Sequence, residues 1–392
     1  MLEAVILFLV SILIFGFQPF TWSMLVPLEV RVFVLFLLIA LFISFSFKKR
    51  KVFYFLLTFL PLSILLTIIW VLNSPRSIPF ILYFFAFTIF TITLLSAAQK
   101  VRRLKFVLTK FLLFLVLIQS ILAIFSFLTF NFNLLPFSSI KLGDFDYYNF
   151  YYNPFLGYID PKPMSFGTLG RVAGFMFEPS YLAWFLTTNF FFVHKCTSVK
   201  GVQVVLIRVI VFLGAMATCS TMCWLVFLII FFVKLAFGFL NMIGVRKAMA
   251  NIAVGLLVFS APIVFFAEGG QERVGSLLGK SSLDDRQARI QESIFVLLTS
   301  SSQKLVLGHA PGFVEVTMDK GESNQYIKLF VEEGILVTVL IIGFVVHCTN
   351  GSKYFMIANL LFLNSAVVLL TPLFIINIVV CKWQNDKLHK ST

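Results

Sequence analysis

Apolar residues recur along this 392-residue chain in long blocks, separated by short basic breaks and by two extended polar stretches. A helix needs roughly 20 residues to cross about 30 Å of hydrocarbon. Eleven blocks approach or exceed that length: 3–17, 30–47, 52–72, 78–97, 108–130, 172–193, 202–218, 221–240, 248–267, 326–347 and 354–380. The last is long enough to hide a hairpin around Asn364-Ser365, so the pattern predicts about 11 spans, within a range of 10–12. The pair 202–218 and 221–240 is joined only by Cys219-Ser220-Thr221, a turn that must be shielded by protein. The expectation is an all-α polytopic membrane protein, one integral membrane domain over 1–392, with long loops at 131–171 and 268–325.

Composition narrows the class. Apolar residues make up 60% of the chain and charged residues 12%, about half the share of an ordinary soluble domain. The 51 Phe suit lipid contact, where any large apolar side chain serves. The net charge of +14 sits in clusters flanking the spans and forms no basic face, so nucleic acid is not an expected partner and membrane lipids are. Lys48-Lys49-Arg50-Lys51, Arg102-Arg103-Lys105, Lys195 with Lys200, and Arg246-Lys247 fall at alternate connections. By the positive-inside rule these are cytoplasmic, which puts the N-terminus inside and both long loops outside a bacterial inner membrane. Lys382, Lys387 and Lys390 pull the C-terminal end toward the cytoplasm, against an eleven-span count. Met1-Leu2-Glu3 lacks a basic n-region and no cleavage pattern follows, so the first block reads as a retained anchor. None of the five Cys falls in a long loop, so no disulfide framework is expected.

The first loop carries Asp144-Phe145-Asp146-Tyr147-Tyr148-Asn149-Phe150-Tyr151-Tyr152-Asn153-Pro154. Aromatic faces stack on pyranose C–H surfaces while amides and carboxylates take hydroxyls, so Tyr147 and Tyr151 are candidate glycan contacts. An interfacial aromatic belt with Asx turns accounts for the same residues without a ligand. Asp144 and Asp146 are too few to predict a metal, and none is expected. The loop ends at Arg171, and Glu178 falls about two turns inside the expected span that follows. An ionisable group inside a span costs on the order of 2.5–3.5 kcal/mol to insert, which makes Glu178 a functional candidate. Pro179 beside it would free a backbone carbonyl and open a cavity. A structural Glu178–Arg171 pair is the alternative.

In the second loop, Ser282-Leu283-Asp284-Asp285 reads as a capping box opening an amphipathic helix over about 283–299, with Ile290, Ile294 and Leu297 as its apolar stripe. Arg286, Arg289 and Ser293 share another face, where two guanidiniums suit a diphosphate. Snorkelling to lipid headgroups is the alternative. His309 follows in Leu307-Gly308-His309-Ala310-Pro311-Gly312, a constrained turn. Asn324, Lys328 and Glu332 then form one polar stripe at the mouth of a span, read either as a cavity lining or as a salt-bridged structural stripe.

Three of these stretches resemble the O-antigen polymerase (Wzy) branch of the O-antigen polymerase/ligase superfamily. They are Arg-x-x-Gly-x-Phe-x-Glu-Pro-Ser-x-x-Ala at 171–183, the Arg-bearing run leading to Leu-Gly-His-x-Pro-Gly, and Ser-Asn-x-Tyr-x-x-x-x-x-Glu-x-Gly-Ile at 323–335. The resemblance implies a C-type glycosyltransferase-like helical fold with two large periplasmic loops. It implies a glycosyltransferase that joins undecaprenyl-diphosphate-linked glycans without a cofactor, alongside a chain-length regulator as partner. It implies diphosphate binding by Arg171, Arg286 and Arg289, and a base in Glu178 or His309. The chain departs at Ser220-Thr221, where the family often carries a cation after Ser. Ser323 stands where the ligase branch has His, which favours polymerase over ligase. A transporter of lipid-linked oligosaccharides is the reading from another class, disfavoured by two long loops on one side and by the lack of an internal repeat.

Overall fold

The computed structural model describes residues 2–16, 27–46, 65–72, 78–100, 102–141, 149–164, 167–176, 178–193, 201–242, 280–317, 324–349, 351–363, 368–369 and 371–388. They are mostly helical. The first half holds α1 (Leu2–Gly16), α2 (Leu28–Ser46), α3 (65–72), α4 (Ile78–Lys100) and α5 (Arg102–Asn131). Next come β1 (Ser138–Lys141), β2 (Asn149–Asn153), β3 (Gly157–Met164) and β4 (Gly167–Gly174), then α6 (Pro179–Phe192), α7 (Val202–Ala217) and α8 (Thr221–Met242). The second half holds α9 (Lys280–Thr299), α10 (Ser302–Leu307), α11 (Phe313–Thr317), α12 (Gln325–Glu332), α13 (Gly334–Thr349), α14 (Lys353–Phe362) and α15 (Pro372–Leu388). The expected span 248–267, most of 52–72, and the basic residues of 48–51, 195–200 and 246–247 lie outside the described residues.

Within α4 and α5, Ile78–Leu95 and Leu104–Asn131 are long and apolar enough to cross a membrane. α5 is apolar on both faces. Leu108, Leu112, Leu115 and Ala123 are buried, while Phe106, Phe114 and Phe125 are at least half exposed. Water penalises such an outer face, and a hydrocarbon surround does not. The expected pair 202–218 and 221–240 stands as α7 and α8. Their turn is shielded, with Thr218 and Ser220 buried and Cys219 at φ 46°.

An all-α chain is not what forms. The first long loop folds as a four-stranded antiparallel sheet in the order β1-β2-β3-β4. Its Tyr, Phe, Ile and Val favour the pleated, half-buried surface of a strand, a signal hidden by the Asn, Asp and Pro around them. Pro161 and Pro163 lie where β3 pairs only with β4, beyond the last β2 partner at Ile159, so their missing N–H groups break no second ladder. β4 runs to Gly174, and the helix expected from 172 begins only at Pro179. Pro179 therefore occupies the first helical turn, where its ring fits, and kinks nothing.

Two more expected spans break. The helix over 326–347 is divided at Glu333, because Gly334 takes φ 74° against the backbone of Val306 and Gly308. The stretch 354–380 is divided into α14 and α15, and residues 364–367, where a hairpin was expected, lie outside the described residues. α6 sits at the centre, with twelve of its fourteen residues buried. It packs on β4, α5, α7, α8 and α14. Trp184 Nε1 donates to Asn359 Oδ1 at 3.0 Å, and Phe192 meets Phe355 at 5.7 Å, so α6 and α14 are antiparallel.

Candidate functional site

Functional candidates gather in two groups at one end of the bundle. The first belongs to the sheet. Arg171 lies opposite Asp160 in the β3–β4 register, and its Nη1 is 3.4 Å from Asp160 Oδ2. Its ion pair is thus with Asp160 rather than with Glu178. Burial pushes the Cys219 thiol up and disfavours the reactive thiolate, an effect the charge of Arg171 partly offsets. Glu178 is the N-cap of α6, extended at φ −140° and ψ 151°, and not two turns inside a span. The correction follows from β4, which occupies the residues that would have extended the helix outward. The half-buried Glu178 side chain accepts from Ser180 Oγ at 2.9 Å, and its backbone carbonyl accepts from Tyr181 N–H at 3.1 Å.

The aromatic candidates behave as sheet packing. Tyr151 faces Phe130 at 5.3 Å between ring centroids, and Tyr152 stacks near Tyr158 at 4.7 Å. Such pairs stabilise a strand face without a ligand. Tyr147, with Asp144 and Asp146, lies outside the described residues. Gly170 N–H donates to Asn131 Oδ1 and Ser126 Oγ donates to Leu156 O, fastening the sheet to the end of α5.

The second group is built on α9 to α12. α9 starts at Lys280, so Ser282 falls inside its first turn and is not the cap; helix ends shift by a residue or two more readily than helices appear or vanish. The expected apolar stripe is split, with Leu297 packed toward Val314 and Val331. Ile294 is 43% exposed while Ser293 is fully buried. Arg286, Arg289, Ser293, Val296 and Ser300 follow at steps of three and four, which places them on one face of α9 and its exit. Val296 packs with Val314, Val331 and Ile327, so this face turns toward α11 and α12. The side chains of Arg286 and Arg289 themselves lie outside what is described; their helical positions do not.

His309 closes the stripe. Ser300 Oγ donates to Val296 O at 2.6 Å, so in its 2.7 Å bond with His309 Nε2 the ring nitrogen donates and Nδ1 is left as acceptor. The ring lies over Phe313 at 4.3 Å. The backbone N–H groups of His309 and Ala310 donate to Val331 O and Glu332 O at 2.9 and 3.0 Å. Glu332, 3% exposed, accepts Val314 N–H on Oε1 at 3.0 Å and sits 4.0 Å from Lys328 Nζ through Oε2. Asn324 is the N-cap of α12, its Oδ1 accepting from Tyr326 and Ile327 N–H. Cap and ion pair account for Asn324 and Lys328 as the ends of a structural stripe. Glu332 clasps the His309 loop and Asp160 holds Arg171, two roles that the spacing of polar residues along the chain does not show.

The two groups share one end of the bundle. α14 ends at Leu363, whose carbonyl accepts from Gln325 N–H at 2.8 Å, and α14 runs antiparallel to α6, whose N-cap is Glu178. No cluster of three metal-ligating side chains occurs among the described residues.

Burial, with Lys304 adding to it, lowers the His309 pKa from 6.5 to about 4. The folded chain therefore refuses a proton that the unfolded chain accepts between those values, and stability falls as pH drops through that window. His309→Gln keeps a donor for Ser300 and removes the titration. Melting temperatures of the purified protein in detergent, taken from pH 7.5 to 4.5, should fall more steeply for the native chain than for this variant. Parallel curves would mean that His309 is not buried in solution.

Compared with protein-family profiles, curated proteins and solved structures, the chain has no match.

Proposed function

We propose that this chain is a glycosyltransferase of the O-antigen polymerase kind. It would join undecaprenyl-diphosphate-linked oligosaccharide units at the outer face of a bacterial inner membrane, with its N-terminus in the cytoplasm. The observation that carries this reading is the stripe of α9. The face bearing Arg286 and Arg289 is the one that continues into buried Ser293 and ends on His309. Arginines held only by lipid headgroups would favour the opposite face, where Phe295 and Leu298 are exposed.

In the proposed step an acceptor hydroxyl attacks the anomeric carbon of the donor glycan. The bond from that carbon to the diphosphate oxygen breaks, and undecaprenyl diphosphate leaves with the electron pair. Arg171, Arg286 and Arg289 neutralise the charge that develops there. The hydroxyl proton passes to a base. Glu178 is the first candidate, because a pKa near 4 leaves His309 neutral at pH 7 but a weak base. Arg289 and Ser300 are eleven residues apart, about 17 Å along the helix, which further separates His309 from the diphosphate. No cofactor enters, since the diphosphate is both handle and leaving group. A chain-length regulator is the partner this reading expects.

Deleting the gene should leave a cell-surface glycan of single repeat units in place of long chains, seen on a lipopolysaccharide gel. Loss of all units from the lipid A core with accumulated lipid-linked polymer would mean a ligase. Units trapped on the cytoplasmic side would mean a transporter.

A further inference from the structure

We propose that the β2–β3 turn dips into the outer leaflet of the membrane, where phospholipid acyl chains surround Phe155. This rests on the membrane placement proposed above and uses none of its chemistry. α5 sets the depth scale. Lys110 is its last charged residue, and residues 111–131 extend about 31 Å without a charge, the thickness of a hydrocarbon core. Ser126 Oγ donates to Leu156 O at 2.8 Å, and Ser126 lies five residues before the outer end of α5 at Asn131. The turn is therefore held about 7.5 Å below that end. Its base lies deeper still. Gly157 is pressed against the backbone of Gly174, and a Cβ on Gly174 would stand 3.1 Å from Oε1 of Gln119, two turns further inward on α5.

The turn is built for that depth. Phe155 stands at its tip, 81% exposed, a position that water penalises and acyl chains do not. Residues 126–140 and 149–159, which form the turn and its surroundings, contain no Asp, Glu, Lys or Arg. Open backbone donors are what usually bar a turn from hydrocarbon. Here Pro154 has no N–H, Phe155 N–H donates to Asn153 Oδ1 at 3.0 Å, and Leu156 N–H donates to Asn153 O at 3.2 Å. The Asn153 side-chain amide in turn donates to Pro136 O at 3.1 Å. The neighbouring surface is continuous with the tip. Phe114, Ile118, Ile121, Phe125, Leu128 and Phe132 are exposed at steps of three and four, one apolar stripe along α5. A patch for a soluble protein would carry a polar rim, whereas this one runs on into the lipid-facing side of a spanning helix. β3 leaves the turn and pairs with β4, so the tip anchors the strand that bears Arg171 to the membrane.

The test replaces Phe155 by the photoreactive p-benzoylphenylalanine in the full chain, reconstituted in phosphatidylcholine nanodiscs. The same replacement at Phe125, exposed on α5 at the level of the turn, is the reference. Irradiation should add the mass of one phospholipid to each variant, with the adduct mapped to the replaced residue. If the Phe125 variant gains lipid and the Phe155 variant gains none, or cross-links to protein instead, the tip lies outside the leaflet. The proposal is then overturned while the membrane placement stands. If neither variant gains lipid, the membrane placement itself falls, and the tip with it. The glycan phenotype of the gene deletion tests the proposed chemistry separately from both outcomes.

Discussion

Replacing Arg289 by Lys should abolish most chain lengthening while leaving membrane insertion and expression intact, and Arg286→Lys should follow it closely. The two lie three residues apart on α9 and so share one helix face, where the proposed reading has both meet one diphosphate. Guanidinium offers two coplanar N–H donors to one phosphate, and ammonium does not. Losing one bidentate contact should cost on the order of 1.5–3 kcal/mol, roughly ten- to a hundredfold in rate. Conserving charge isolates this geometric term. If these arginines only reach lipid headgroups, Lys replaces them adequately and the glycan ladder stays long. Ladders from Lys and Ala variants at matched protein levels decide the matter. Normal ladders in both Lys variants would take α9 out of the site.

The legible part of the architecture was what depends on period and composition. Apolar runs located α5, α7 and α8 because a long unbroken apolar run is itself the signal of a helix buried or membrane-facing along its length. The amphipathic helix was found too, but only part of its orientation. Ile290, Ile294 and Leu297 look like an inner stripe by hydrophobicity, and Leu297 does pack toward Val314 and Val331, yet Ile294 is exposed and Ser293 buried. In a lipid surround an apolar face points outward as readily as inward, so the usual inference from hydrophobic to buried loses its force. The sheet stayed hidden for another reason. Its strands pair Tyr151 with Ile159 and Asp160 with Arg171, across turns that local sequence signals only weakly. Glu178 was misplaced as a direct result, since β4 runs to Gly174 and α6 begins only at Pro179, where a helix from 172 was expected.

Of the candidate site, the arginine stripe and the His309 turn were legible, while the clasp that holds the turn was not. That clasp is a backbone approach between Gly308 and the break after Glu332, and no spacing rule shows two distant glycines meeting. Its strength sets the last prediction. Gly308→Ala should be among the most destabilising single-methyl additions in the protein. The new Cβ would stand 2.0 Å from Glu332 O and 2.5 Å from Glu333 C, both backbone atoms that no rotamer change can move. The φ of 79° adds a left-handed strain of about 1–2 kcal/mol for a residue bearing a Cβ. Relief requires lifting the turn, which breaks the bonds from His309 and Ala310 N–H to Val331 and Glu332. Together these should remove about 3–5 kcal/mol. Two controls separate the contributions. Gly201 has φ 57° with nothing within 4 Å, so Gly201→Ala should show the backbone strain alone, about 1–2 kcal/mol. Gly343 lies in α13 with open space around it, so Gly343→Ala should leave stability unchanged or raise it by about 0.5–1 kcal/mol. Melting temperatures of the three purified variants in one detergent give the ranking. A Gly308→Ala protein that melts like Gly201→Ala would mean the turn is free to move away from Glu332, and that His309 is not held where this geometry puts it.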